Sequence, residues 1–129
     1  MSDDSRNSTW LRKFQNAFRG IKIGMRGGRT NSFFVHIPIA IATIILALIV
    51  GVSKIELSIL LLCIATVISA ELFNSSIERL AASITKDHDE EIGKALDIAS
   101  GAVLVVSIFA AIIGLIVFVS AILGGWNRA

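Results

Sequence analysis

Three long apolar runs dominate the chain. The first covers residues 33–50, where His36 is the one titratable side chain, and the third covers residues 102–123, which hold no charge. As helices rising 1.5 Å per residue, these runs reach about 27 and 33 Å, close to the ~30 Å hydrocarbon thickness of a bilayer. The second run, residues 57–70, needs about three more residues to reach that depth, which places Glu71 just inside the membrane boundary. The pattern therefore predicts three transmembrane helices, over residues 33–50, 55–80 and 98–123.

A shorter amphipathic segment precedes the apolar runs. Its apolar side chains recur at spacings of four, four, three and four, and they are Trp10, Phe14, Phe18, Ile21 and Met25. Basic residues occupy the other faces, so the segment predicts a helix over residues 10–26 that lies in the membrane interface. A helix packed against a protein partner is the alternative. Gly27 and Gly28 should end the helix, and the polar residues 1–9 should be disordered.

The composition excludes an ordinary soluble domain. The 129 residues are 54% hydrophobic and 17% charged, which is too apolar for a soluble fold of this size. Nucleic-acid binding is not expected, because the basic N-terminal segment has no soluble fold beside it. Cys63 lies inside the second apolar run, where its expected role is packing. The predicted fold is a single all-α integral membrane domain over residues 10–125, with an amphipathic surface helix followed by three transmembrane helices.

The distribution of basic residues predicts the orientation in the membrane. Seven of the twelve Lys and Arg residues precede Asn31, and three more lie in the acidic connection over residues 79–96. The remaining two, Lys54 and Arg128, are predicted to lie on the opposite side. Because basic residues favour the cytoplasmic side, the N-terminus and the acidic connection should face the cytoplasm, in a multi-pass protein of the inner (cytoplasmic) membrane.

A polar stripe interrupts the apolar pattern at the end of the second run. Glu71, Asn74 and Glu78 are spaced i, i+3 and i+7, which puts them on one face of a helix. Ionisable groups within a membrane helix predict function, although they can also mark the water interface at a helix end. A transporter usually places such groups near the midplane, so a cluster at one interface favours an enzyme that acts on a lipid headgroup. In phosphoryl transfer Glu71 could accept a proton and Glu78 could bind Mg²⁺.

The segment ELFNSSIE resembles the ELLN-(S/T)-A-I-E motif of the small prokaryotic diacylglycerol kinases and their undecaprenol kinase relatives. AFRGIKIG, FFVHIPIA and ALDIASGAVL resemble further segments of that family, so the resemblance covers roughly residues 14–118. It implies a homotrimer of three-span subunits with active sites shared between subunits. It also implies transfer of phosphate from Mg²⁺-ATP to the hydroxyl of diacylglycerol or undecaprenol. The FFVHI stretch leans towards the undecaprenol-type relatives.

The resemblance assigns roles to individual residues. Glu71 corresponds to the catalytic base, which meets the lipid, and Asn74 corresponds to an active-site amide. Glu78 corresponds to the carboxylate that binds Mg²⁺ and the ATP phosphates, and Ser100 to a residue near the lipid. The nucleotide contacts that the resemblance implies are Asp87, His88, Asp89 and Asp97.

Two departures from the family pattern bear on activity. Leu96 stands where the family commonly has a lysine, and residues 28–32 contain no carboxylate where the family has a second metal-binding glutamate. A pseudo-kinase, or a non-catalytic membrane subunit that uses the stripe to lock helices together, is the alternative to an active enzyme, and a cation or proton pathway is a weaker one. Basic residues of the surface helix are predicted to replace the missing lysine charge at the ATP site, namely Arg12, Lys13, Arg19 and Lys22.

His36 lies near the cytoplasmic end of the first apolar run. It could contact a lipid headgroup or a phosphate, but a histidine whose polar atoms are satisfied at the interface is the favoured interpretation.

Overall fold

The computed structural model describes residues 3–26 and 32–126, and these residues form four helices. They are α1 (Asp3–Arg26), α2 (Phe33–Val50), α3 (Lys54–Ile84) and α4 (Glu90–Trp126). No strand occurs within this part of the chain. Helices α2, α3 and α4 are long and apolar enough to cross a membrane. The predicted fold class is therefore confirmed: an N-terminal helix precedes three membrane-spanning helices.

Three helix boundaries differ from the sequence prediction by four or more residues. Helix α1 begins at Asp3, so most of residues 1–9 is helical rather than disordered. Helix α3 continues to Ile84 and α4 begins at Glu90, which shortens the predicted polar connection over residues 79–96 to a turn of five residues.

Helices α3 and α4 are longer than a bilayer is thick. Their 31 and 37 residues span about 46 and 55 Å at 1.5 Å per residue, against ~30 Å of hydrocarbon. The start of α4 is stabilised in water: Asp89 Oδ1 accepts a hydrogen bond from the Ile92 amide at 3.0 Å, and Lys94 pairs with Glu90 and Glu91 at 3.0 and 2.8 Å. Both helices can therefore extend beyond the membrane on the side where the chain turns from α3 to α4.

The turn between α2 and α3 lies at the other end. Gly51 ends α2 with a left-handed backbone at φ 75°, a conformation that glycine adopts without strain, and its amide donates to the Ala47 carbonyl at 3.0 Å. Helix α3 then starts with a capping box, in which Ser53 and Glu56 exchange hydrogen bonds between side chain and backbone.

The interior of the three-helix unit is small. Helix α3 packs most extensively on α4, then on α2, and it also contacts α1. Ala47, Leu60 and Val117 form the buried cluster at the end nearer the α2–α3 turn. Large apolar side chains on the outer faces stay exposed, as expected of helices that face lipid or other subunits rather than water.

Helix α1 is attached to α3 through its last turns. Gly24 is buried, and a Cβ atom built on it would come within 2.5 Å of Leu72 Cδ2, so the two helices approach closely there. Arg79 Nη2 donates a hydrogen bond to the Ile23 carbonyl at 3.0 Å, which satisfies a carbonyl near the end of α1. The aromatic side chains Phe14 and Phe18 are exposed, which leaves an apolar stripe available to a membrane surface.

Some sequence predictions fall outside the described residues. These are the Gly27–Gly28 helix break, the missing second carboxylate over residues 28–31, and the placement of Arg128. Helix α1 does end at Arg26, the residue before the glycine pair.

Candidate functional site

The polar stripe of α3 is buried. Among the residues with described side chains, the buried polar groups are Glu71 at 2% exposure, Ser75 at 4% and Asn74 at 6%. Burying a carboxylate and an amide costs free energy unless each finds a partner. A helix that mostly faces lipid thus concentrates its buried polar groups within five consecutive residues, as a functional site would.

Asn74 and Glu78 are joined by a hydrogen bond along the stripe. Asn74 Nδ2 donates to Glu78 Oε1 at 3.1 Å. An ionised carboxylate only accepts hydrogen bonds, so the amide nitrogen must face Glu78 and the amide oxygen must point elsewhere. That oxygen, Asn74 Oδ1, is buried and has no hydrogen-bond partner among the described residues. The site therefore offers a buried acceptor beside a carboxylate, an arrangement suited to a donor or a cation brought by a ligand.

Glu71 meets a residue of another helix. Its Oε1 atom lies 3.0 Å from Nδ1 of His36 on α2. The two atoms are within ion-pair distance if the imidazole is protonated, although their geometry does not meet that of a hydrogen bond. The sequence alone favours an interface histidine with satisfied polar atoms at position 36. The signal for it was a lone histidine one turn into an otherwise apolar run, and only the packing of α2 on α3 gives that signal a partner.

A polar cleft lies where α3 turns into α4. Its volume is about 560 Å³, and it is lined by residues from the end of α3, the turn and the start of α4. Four of the predicted nucleotide-contacting or metal-binding residues line it together: Glu78, Asp87, His88 and Asp89. Thr85 shapes the turn, because its hydroxyl accepts a hydrogen bond from the Asp87 amide at 3.0 Å. Glu78 thus belongs both to the stripe and to the cleft.

The basic residues that line this cleft lie at the end of α3 and in the turn. Arg79 and Lys86 line it, whereas none of the four basic residues predicted on α1 does. Lys13 instead lies over the Trp10 ring, 4.7 Å from its centroid. Leu96 also lines the cleft, so an apolar side chain occupies the wall where the family pattern has a lysine.

Asp97 and Ser100 have no hydrogen bond or ion pair with the stripe among the described contacts. Both are exposed on α4, and neither lines the cleft. Their spacing of three residues places them on the same face of the helix. Their predicted roles in nucleotide and lipid binding therefore stay predictions.

An apolar cavity of about 350 Å³ lies between α2, α3 and α4. His36 lines it at the end near Glu71, and Thr43, Cys63 and Phe118 line it further along. Ser107 also lines this cavity, and its hydroxyl is buried without a hydrogen-bond partner in the described part of the chain. A mostly apolar cavity with one titratable end is suited to a lipid chain whose polar end reaches Glu71.

The described residues fit Mg²⁺ only if the phosphates of a bound substrate supply the remaining ligands. No group of three or more His, Cys, Asp or Glu side chains that could hold a metal occurs among the described residues. Mg²⁺, however, is commonly bound through one or two carboxylates together with substrate phosphates. The Glu78 carboxylate and the unpartnered Asn74 amide oxygen are oxygen donors of the kind that this ion prefers.

Comparisons with known proteins agree with the resemblance in the sequence. The family model described as "Prokaryotic diacylglycerol kinase" matches residues 15–118. The undecaprenol kinase of Bacillus subtilis (strain 168) is 37% identical over 119 residues, which are 91% of this chain and 95% of that protein. No solved structure matches the chain.

Proposed function

The chain belongs to the prokaryotic diacylglycerol kinase family, and on this basis we propose that it transfers the γ-phosphate of ATP to the hydroxyl of a membrane lipid. It is a membrane protein and a lipid kinase by family. One observation supports the proposed chemistry most: a single face of α3 carries a buried carboxylate at Glu71, and Glu78 on the same face lines the polar cleft. The polar stripe thus extends from the buried Glu71 carboxylate, near the membrane boundary, to the cleft at the α3–α4 turn.

The proposed lipid substrate is undecaprenol. The relative that is 37% identical over most of both chains carries the name undecaprenol kinase, whereas diacylglycerol enters only through the description of the family. The apolar cavity beside His36 supports a long hydrocarbon substrate in general, since it would hold the part of the chain next to the hydroxyl.

Glu71 is the proposed general base. As the lipid oxygen bonds to the γ-phosphorus, the bond from that phosphorus to the β–γ bridging oxygen breaks, and ADP leaves. The hydroxyl proton passes to Glu71, so one proton and one phosphoryl group change partners and no redox partner is needed. Burial to 2% exposure holds this carboxylate away from bulk water, and a positioned general base typically contributes about 10²–10⁴-fold in rate.

The nucleotide is proposed to bind in the cleft at the α3–α4 turn. Arg79 and Lys86 supply positive charge there, which suits the phosphates of ATP. Glu78 and the Asn74 amide oxygen would hold Mg²⁺ against these phosphates, and the ion would neutralise charge that develops on them. Glu71 and Glu78 are seven residues apart, about 10 Å along the helix axis, a distance that the triphosphate would bridge.

The active form is proposed to be a homotrimer in the inner membrane, with its N-terminus and the α3–α4 turn in the cytoplasm. The exposed face of α4 that carries Asp97 and Ser100 supports the assembly, since these residues do not line the cleft of their own chain and are open to a neighbouring subunit. The distribution of basic residues supports the orientation, because ten of the twelve Lys and Arg residues lie on the side of the N-terminus and the α3–α4 turn.

Phosphate transfer from γ-labelled ATP to purified lipids tests this proposal. The purified protein in bicelles should label undecaprenol faster than diacylglycerol when Mg²⁺ is present. Labelling of diacylglycerol alone would reverse the substrate assignment. Labelling of neither lipid by a folded protein would contradict the kinase proposal and favour a pseudo-kinase.

A further inference from the structure

His36 connects three features of the site. It comes from α2, its Nδ1 atom lies 3.0 Å from Oε1 of Glu71 on α3, and its side chain lines the apolar cavity. Its side chain is 22% exposed, whereas that of Glu71 is 3% exposed. The imidazole therefore stands between the buried carboxylate and the space through which a lipid would approach.

The contact with His36 bears on what fixes the orientation of the Glu71 carboxylate. A glutamate side chain has three rotatable bonds and keeps its rotamer freedom unless something fixes it. General-base catalysis needs the carboxylate oxygen within hydrogen-bond reach of the hydroxyl that it deprotonates. The hydrogen bond between Asn74 and Glu78 fixes the other end of the stripe, so the group best placed to fix Glu71 from outside α3 is the His36 ring.

We propose that His36 is a positioning residue, whose imidazole holds the Glu71 carboxylate in the orientation that meets a lipid hydroxyl arriving from the cavity. This inference rests on the proposed lipid kinase function and adds a residue to it. His36 itself touches neither the phosphate nor the transferred proton. Because an error of about 1 Å in a reacting group can cost about 10²-fold in rate, loss of the ring should lower kcat and leave the apparent KM for ATP unchanged.

Two substitutions separate positioning from packing. His36→Asn places an amide nitrogen close to the position of Nδ1, the atom that meets Glu71. His36→Phe keeps the ring and its volume and removes both nitrogens. We expect kcat to fall about 10- to 100-fold in His36→Phe and to recover in part in His36→Asn, with the same KM for ATP in all three proteins. Equal activity in His36→Phe and wild type would overturn the proposal.

A spectroscopic test does not depend on activity. The chain has two histidines, so protein labelled with ¹⁵N-histidine gives two imidazole signal sets, which a His88→Asn variant assigns. His88 is exposed in the α3–α4 turn and serves as the internal reference. Glu71→Gln should shift the ring nitrogens of His36 and leave those of His88 in place.

The spectroscopic test and the lipid-labelling assay test different claims. Unmoved His36 signals in Glu71→Gln would overturn the contact and the positioning role, even if the wild-type protein phosphorylates lipid. A wild-type protein that labels no lipid would instead overturn the proposed function. A shifted His36 signal would then still show that the two side chains meet.

Discussion

The amide of Asn74 and the carboxylate of Glu78 are hydrogen-bonded at 3.1 Å across one turn of α3. This pair lies between the buried Glu71 and the cleft at the α3–α4 turn. Its orientation leaves the Asn74 oxygen without a partner in the described structure, and burial of an unsatisfied oxygen costs about 1–3 kcal/mol. The cost is understandable if that oxygen acquires a partner only when the substrates bind.

Glu78→Gln separates the charge of this carboxylate from its structural role. Glutamine keeps the size of the side chain and can still accept from Asn74 Nδ2, so the helix should stay intact. We expect kcat/KM for Mg²⁺-ATP to fall about 10- to 100-fold, because hydrogen bonds to a charged group contribute about 1.5–3 kcal/mol. The matched control is Glu91→Gln, an exposed carboxylate at the start of α4. Equal ATP and Mg²⁺ dependence in the two variants would remove Glu78 from the nucleotide site.

Lys86→Ala tests the cations of the cleft. Lys86 lines it, whereas the ammonium of Lys94 is engaged by Glu90 and Glu91. The apparent KM for ATP should rise several-fold in Lys86→Ala and change little in Lys94→Ala. A lysine in place of Leu96, which also lines the cleft, should offset part of the loss. If the basic residues of α1 alter ATP dependence and Lys86 does not, the nucleotide binds nearer the surface helix.

Gly24→Ala and Gly20→Ala test the attachment of α1. Both replacements should gain helix propensity of up to about 1 kcal/mol. Only at Gly24 does the new Cβ meet another side chain, Leu72 Cδ2 at 2.5 Å, whereas nothing lies within 4 Å of one at Gly20. Thermal unfolding in detergent should therefore show a higher midpoint for Gly20→Ala than for Gly24→Ala. Equal midpoints would indicate that Leu72 rotates away without cost.

Cysteine labelling of intact cells tests the orientation. In a Cys63→Ala background, Lys54→Cys at the start of α3 should react with a membrane-impermeant reagent added outside. Glu91→Cys, at the start of α4, should react only after the membrane is permeabilised. The opposite pattern would place the α3–α4 turn, and with it the nucleotide cleft, outside the cytoplasm.

Sequence periodicity was sufficient to predict the membrane-spanning helices and the polar stripe of α3. An apolar run of the right length specifies a spanning helix by itself, and the spacing of Glu71, Asn74 and Glu78 on one helix fixes their common face. The polar starts of α1 and α4 do not follow from hydrophobic periodicity, because a polar composition is also typical of disordered segments and loops. Acidic residues in a first turn favour a helix instead, as Glu90 and Glu91 do in α4.

Contacts between distant segments could not be predicted from the periodicity of the sequence. His36 and Glu71 are 35 positions apart in the sequence, and their contact depends on how α2 packs against α3. Arg79 and Lys86 line the cleft and the basic residues of α1 do not, which depends in the same way on the path of the chain at the α3–α4 turn. The chemistry of ATP predicts positive charge at the nucleotide site, and contact of the basic residues of α1 with ATP stays a prediction, although they do not line the cleft within one chain.

The central claim is that the buried carboxylate of α3 deprotonates a lipid hydroxyl, and the most direct measurement compares Glu71→Gln with Glu56→Gln. Glu56 lies on the same helix, about 22 Å away at 1.5 Å per residue, in a capping box that also accepts glutamine. In bicelles containing undecaprenol and Mg²⁺-ATP, Glu56→Gln should transfer labelled phosphate at the wild-type rate. Glu71→Gln should fold equally well and lose at least about 10²-fold in rate. Full activity in Glu71→Gln would contradict the account.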